Sequence, residues 1–292
     1  MVSVERVSQY TAIASEAPLE RKTDNELKDW PKNGSILMNN VTVRYRQSLP
    51  PSLNNISFKI TSGQRIGVVG RTGSGKSTLV QAIFRILEAE QGHIFVDDVD
   101  ISLLGLHKLR MGISVINQQP FLFSCCTIRE NLDPFQECSD DSVRDALVDV
   151  QMIDVVKNLP NGMNSIVVEG GANFSVGQRQ LLCLARAMLR KSKILILDEP
   201  TANVDGRTDK LLQDAVSRSF EDATIISVAH RLDTVIESDK ILVLGDGQVL
   251  EYGSPSDLLS TKDGYFYSMV NDTGEEMARH LTRIAMSCKN RF

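Results

Sequence analysis

Residues 70–77 read Gly-Arg-Thr-Gly-Ser-Gly-Lys-Ser, a complete G-x-x-x-x-G-K-[ST] spacing whose residue types suit the holding of nucleotide phosphates. Gly70, Gly73 and Gly75 can take positive φ and turn their N–H groups onto an anion. Lys76 adds a point charge for the β and γ phosphates, and Ser77 adds a hydroxyl for Mg2+. Arg71, Thr72, Ser74 and Thr78 complete the candidate binding loop. A second group is Ile194 to Glu199, Ile-Leu-Ile-Leu-Asp-Glu, an apolar run closed by two carboxylates. Such a pair is costly to bury unless a cation or a catalytic role offsets it. Asp198 is expected to hold Mg2+ through its water shell and Glu199 to polarise an attacking water, although a strand ending in solvent has the same local pattern. A third group is Phe174 to Gln178, in which Ser175 and Gln178 have the spacing of a capping box. Gly177 in that first turn costs about 1 kcal/mol relative to Ala, so something must approach the backbone closely. A helix N-terminus with free N–H groups is an anion site, giving the chain two phosphate-binding features.

The elements that must position these groups follow from apolar spacing. Ile66 to Val69 reads as a buried strand entering the glycine loop, and Thr78 to Arg85, with Leu79, Ile83 and Phe84, as the helix leaving it. Ile36 to Tyr45, Leu53 to Ile60 and His93 to Val96 read as short strands of an antiparallel layer. Between about Cys126 and Lys191 the spacing turns helical, at Val143, Ala146, Leu147 and Val150 and again from Leu181 to Leu189. Strands return at Ile194 to Leu197 and Thr224 to Val228, and a hairpin flanks Gly245-Asp246-Gly247. Two of these strands end on Asp198 and His230, at the carboxyl edge where open α/β sheets bind ligands.

A chain of 292 residues suits one large α/β domain with appendages, here a linker over 1–34, a domain over 35–271 and a tail over 272–292. Met277, Leu281 and Ile284 share a face in the tail, which reads equally as a surface helix or as disorder. The net charge of −5 gives no footprint for nucleic acid. The five cysteines lack metal-ligand spacing and suit a reducing compartment. No apolar run reaches the length of a membrane span, and the opening residues lack a secretory core, so the reading is a cytoplasmic domain.

Taken in order, these motifs resemble the nucleotide-binding domain of ABC transporters, over roughly residues 35 to 270. Tyr45 resembles the aromatic that stacks on adenine, Gln118 the Q-loop glutamine that also meets the metal, Ala202 to Asp205 the D-loop, and His230 the switch histidine at the γ phosphate. Singly, Tyr45 reads as well as a strand aromatic, Gln118 as a solvated loop residue and His230 as a satisfied strand-end histidine. Ser175 to Ala187, Thr127 to Phe135 and the opening Ser-Val-Glu-Arg-Val-Ser-Gln-Tyr are similar to the second such domain of the multidrug-resistance-associated subfamily. Phe174 and Val176 depart from the Leu and Gly usual in the signature, and Pro200 stands where the subfamily often has Ala.

The resemblance implies a P-loop NTPase core with a mainly parallel sheet, an antiparallel β layer and an inserted helical signature subdomain. It implies ATP and Mg2+ as ligands, Glu199, Gln118 and His230 as catalytic residues, and Ser77, Gln118 and Asp198 as the residues at the metal. Ser175, Val176, Gly177 and Gln178 would act in trans on the nucleotide of a second such domain, and Asp205 belongs to the D-loop. The implied setting is the cytoplasmic face of a membrane, where ATP-driven closure of two domains moves the transmembrane domains of an exporter for organic or conjugated substrates. Met1 falls where such transporters have just left their last membrane helix. The alternatives are an ATP-binding regulatory module of a channel or receptor complex, a soluble ABC-type ATPase and, more weakly, a small-molecule kinase.

Overall fold

A computed structural model describes residues 2–13, 15–200, 204–229 and 231–288. Helix α1 (Val2–Thr11) opens the chain and lies in solvent, with Val4, Val7 and Tyr10 exposed. Residues 15–34 then run along the domain and include Trp30, which is buried and donates its indole N–H to the Val96 carbonyl at 3.0 Å. The Asp97 carboxylate accepts the amides of Asn33 at 2.8 Å, Gly34 at 3.1 Å and Ser35 at 2.8 Å, fixing the entry into the first strand.

Alternating burial in β1 (Ile36–Val43) and β2 (Leu53–Ile60) makes each half-buried, as a sheet over a core requires. With β4 (Ala89–Val96) and β5 (Val99–Asp100) they form an antiparallel sheet in the order β2-β1-β4-β5 among the described residues. The strand expected at His93 starts four residues earlier, and β1 stops at Val43, leaving Tyr45 in the loop beyond it.

The second sheet is built on near-continuous apolar strands, the pattern of a sheet buried on both faces. It comprises β3 (Arg65–Val69), β6 (Ile113–Ile116), β7 (Ile194–Asp198), β8 (Thr224–Val228), β9 (Lys240–Gly245) and β10 (Gln248–Gly253). Their order is β10-β9-β3-β8-β7-β6, parallel except for the β9–β10 hairpin. Helix α2 (Lys76–Ile83) follows β3 and buries Leu79, Ala82 and Ile83 between the two sheets, together with Ile66, Val68, Ile196 and Val228. Burying side chains such as Leu79, Ile83 and Ile66 is worth about 1.5–3 kcal/mol each, which anchors the layer below the glycine loop.

Helix α3 (Leu106–Gly112) leads into β6, and the helical region comes between β6 and β7. It contains α4 (Ile128–Leu132), α5 (Asp140–Asp149), α6 (Ile153–Lys157) and α7 (Val176–Arg190). Its apolar faces form a second cluster around Leu132, Val143, Leu147, Leu181 and Leu184, shared with Ile116 of β6, Leu195 and Leu197 of β7 and Ile225 of β8, so the region packs onto one face of the parallel sheet. Helix α8 (Gly206–Ser219) joins β7 to β8 and adds Leu212 and Val216 to that cluster.

The chain closes with α9 (Pro255–Ser260), α10 (Tyr265–Asn271) and α11 (Glu275–Cys288). The Glu251 carboxylate receives the amides of Tyr265 at 2.7 Å and Phe266 at 2.9 Å, which satisfies the start of α10. Among its described residues the tail is a helix over Glu275–Cys288, and its buried face is Ala278, Leu281 and Ala285, packed with Leu259 and Phe266. Leu281 is 1% exposed whereas Met277, expected on the same face, is 44% exposed. No helix among the described residues is long and apolar enough to cross a membrane.

Candidate functional site

The register of the parallel sheet decides what can meet at its carboxyl edge. Val68 of β3 pairs with Val228 of β8, and Val228 pairs with Asp198 of β7, so the glycine loop and the carboxylate pair leave the sheet at one level. Two strand spacings separate β3 from β7, about 10 Å.

Gly75 opens α2 at φ +105, and a Cβ there would stand 2.8 Å from the Ser52 carbonyl and 2.7 Å from Leu53 Cδ2. Only glycine meets both demands. Lys76 is buried, and its Nζ donates to the Gly70 carbonyl at 2.8 Å and the Arg71 carbonyl at 3.2 Å. Burial pushes its pKa below the ordinary lysine value, and the negative fields of Glu199 and Asp198 oppose that shift. The strand register brings the two motifs to the same edge of the sheet.

Phosphate fits the residues present. Ser74 Oγ is buried without a hydrogen-bond partner among the described residues, and open space surrounds the position a Cβ would take at Gly73. A phosphate oxygen would satisfy the first and occupy the second. Ser77 is exposed on the first turn of α2, and Asp198 is half-buried at the end of β7. A hydroxyl and a carboxylate are hard oxygen donors of the kind Mg2+ accepts. Arg71 and Thr72 are exposed in the loop, and Thr78 is buried on α2.

Tyr45 stands beside the same helix, 48% exposed. Its hydroxyl donates to Gln81 Oε1 at 2.9 Å and lies 3.2 Å from Thr78 Oγ1, which leaves a ring face beside the loop. Glu199 has φ +50, a left-handed conformation uncommon for a residue with a side chain, and its amide donates to the Val228 carbonyl at 3.1 Å. The backbone therefore turns sharply at the residue expected to be the base. His230 and residues 201–203, including Ala202, lie outside the described residues. Gln118 is exposed two residues past β6, the strand beside β7, so it emerges from the same edge.

The signature residues are held differently. Ser175 Oγ accepts the Gln178 amide at 3.2 Å, and Gln178 Oε1 accepts the Ser175 amide at 2.9 Å, completing the capping box at the start of α7. Among the described residues neither side chain bonds to the glycine loop. Val176 begins the helix, and Phe174 is buried in the core of the helical region. The close neighbour expected at Gly177 is Thr208. Asp205 caps α8 by accepting the amides of Arg207 and Thr208, each at 3.1 Å.

Two residues with roles in this layout escape the motif spacing. Thr208 is one. Gln180 is the other, a fully buried glutamine on the apolar side of α7 whose Nε2 donates to the Asn117 carbonyl at 2.9 Å. The readable signal was a polar residue between Gly177 and Leu184 on a stripe otherwise apolar.

Comparison with known proteins agrees with this geometry. The family model described as ABC transporter matches residues 53–202. ABC transporter C family member 12 of Dictyostelium discoideum is 48% identical over 99% of this chain, and ATP-binding cassette sub-family C member 2 of Rattus norvegicus is 49% identical over 96% of it. The chain spans 22% of the first relative's length and 18% of the second's. A bacterial Atm1-family ABC exporter solved with ATP bound superposes with a TM-score of 0.81 and 29% identity, over 94% of this chain and 47% of that one. With its glycine loop, carboxylate strand and capped helix in the family's order and on the family's fold, the chain belongs to the ABC transporter family, as a nucleotide-binding domain similar to those of its C members.

Proposed function

We propose that this chain binds and hydrolyses ATP as the nucleotide-binding domain of an exporter, its closure against a second such domain driving the transmembrane domains at the cytoplasmic face of a membrane. The observation that carries the reading is the buried Lys76 of the glycine loop, at the sheet edge where the parallel register also ends the strand that leads into Asp198 and Glu199. Cradle, cation and carboxylates then surround one triphosphate, and catalysis of phosphoryl transfer is largely positioning and charge stabilisation. The amides of residues 70–78 and the Lys76 ammonium hold the phosphates, and Tyr45 stacks on the base. Glu199 orients the attacking water, and Gln118 and His230 are assigned catalytic roles with it by the resemblance of their motifs. Ser77, Gln118 and Asp198 would hold Mg2+, which when bound would supply neutralisation of phosphate charge. Ser175, Val176, Gly177 and Gln178 reach the nucleotide of the second domain, and Asp205 belongs to the loop between the two sites.

The test uses the full-length protein that carries this chain. Glu199→Gln should keep Mg-ATP binding within about twofold while phosphate release falls about 10²-fold or more, since a positioned base contributes about 10² to 10⁴ in rate. Lys76→Ala should lose binding itself. Unchanged phosphate release by Glu199→Gln would remove the base assignment, and undiminished binding by Lys76→Ala would remove the site.

A further inference from the structure

Gln180 is 0% exposed on α7, two residues past Gln178. Its Nε2 holds the Asn117 carbonyl at 2.9 Å, immediately before Gln118, and its Oε1 is buried without a hydrogen-bond partner among the described residues. Buried amide oxygens are nearly always satisfied, so an orphan in the interior needs a reason. Leucine or methionine would fill the space without it. The segment it holds is irregular, and Gln118 and Gln119 are exposed in it, whereas α7 is a helix packed on both the β6 side and α8. The same helix carries the Ser175 cap, five residues and about 7.5 Å from Gln180.

We propose that Gln180 is a positioning residue that couples the Gln118 loop to the signature helix through two alternative hydrogen-bond sets. In the arrangement seen here its amide nitrogen grips the loop at the Asn117 carbonyl. When Gln118 turns toward a nucleotide, a loop amide from Gln118 or Gln119 reaches the waiting Oε1, and the loop gains an anchor that its first state lacks. Occupancy of this chain's own phosphate site is thereby felt at the N-terminus of the helix that faces the other domain. The inference rests on the ATP-binding reading above and adds a residue to it.

The experiment is amide hydrogen exchange on the full-length protein with and without Mg-ATP, beside steady-state phosphate release. Wild type should show protection at residues 70–78 and slowed exchange at Gln118 and Gln119. Gln180→Met, close in length and shape, should keep the first and lose the second, with kcat down about tenfold and KM for ATP within about twofold, as loss of one buried hydrogen bond would give. Gln180→Glu, which retains an acceptor, should recover part of the Gln118–Gln119 protection. Equal protection of that segment in wild type and Gln180→Met, or unchanged kcat in the variant, overturns the proposal while leaving ATP binding intact. Absence of Mg-ATP protection at residues 70–78 in wild type overturns the underlying reading and this inference with it.

Discussion

Thr208 and Gly177 lock the starts of α8 and α7 together, so closely that a Cβ on Gly177 would stand 3.0 Å from Thr208 Cγ2 and 3.3 Å from its Oγ1. Asp205 fixes the other partner, accepting Thr208 Oγ1 at 2.8 Å. The start of the helix that bears the signature is thus packed against the start of the helix that follows the carboxylate strand. Within the domain itself, Thr208 crowds any side chain placed at Gly177.

Gly177→Ala should consequently show opposed effects. Alanine is the better helix former by about 1 kcal/mol, and overpacking against Thr208 costs about 1–3 kcal/mol. Thermal stability should change by no more than a few degrees while ATP turnover falls several-fold, because the crowded contact displaces the cap at Ser175. Thr208→Ser in the same chain removes Cγ2, keeps the hydroxyl for Asp205, and should restore part of the turnover. A double variant no better than Gly177→Ala would show that the methyl contact is not the constraint.

The hydrogen bonds of Tyr45 can be separated from its proposed stacking on the base. Tyr45→Phe loses the bonds to Gln81 and Thr78 but keeps the ring, and nucleotide affinity should fall about threefold or less. Tyr45→Ala loses the stacking face, worth about 1–3 kcal/mol per base, and affinity should fall about tenfold or more. Since every base has a π face, ATP and GTP should suffer alike. Titration of both nucleotides against the two variants checks this.

Asp97 ties residues 33–35 to the antiparallel sheet and makes the domain acid-sensitive there. Burial raises its pKa, but the amides of Asn33, Gly34 and Ser35 and the Ser35 hydroxyl outweigh burial and hold it below the usual aspartate value. The folded state thus binds this proton less readily than the unfolded chain does. Its contribution is complete above the unfolded value of about 3.9 and is lost as pH falls through the lower folded value. Asp97→Asn keeps the left-handed backbone, which asparagine tolerates, yet supplies no charge. Denaturant titrations should find the variant less stable than wild type at pH 7, with the gap closing below about pH 4. A gap independent of pH would contradict the assignment.

Glu251 should govern the docking of the last helices. Glu251→Ala removes two bonds from a carboxylate to the Tyr265 and Phe266 amides, each worth about 1.5–3 kcal/mol. Limited proteolysis should cut the variant faster between residues 254 and 275 than elsewhere, with Mg-ATP binding unchanged. Cleavage at the wild-type rate would mean that the apolar contacts of Phe266 and Leu281 suffice.

Much of the site was legible because its chemistry is local. A phosphate loop needs consecutive amides and a lysine within a few bonds, so Gly70 to Ser77 carry the pattern contiguously. The capping box is local too, and Ser175 and Gln178 adopt it as spaced. Short or flanking elements were less legible. Strand β6 is four residues long and carries Ser114, so no period stands out, and the buried face of α11 turns on Ala278 and Ala285, which are weak signals beside Met277.

The linear chain alone determined the phosphate loop, the carboxylate-terminated strand, the capped helix and the two-layer character, since each depends on residues near one another along the polymer. The folded arrangement alone decided that the glycine loop and Asp198 leave the sheet at one edge, that Thr208 is the neighbour Gly177 accommodates, and that Gln180 holds the Gln118 loop. Those pairings join residues far apart along the chain, and the parallel register and helix packing that create them are long-range properties that no local spacing encodes.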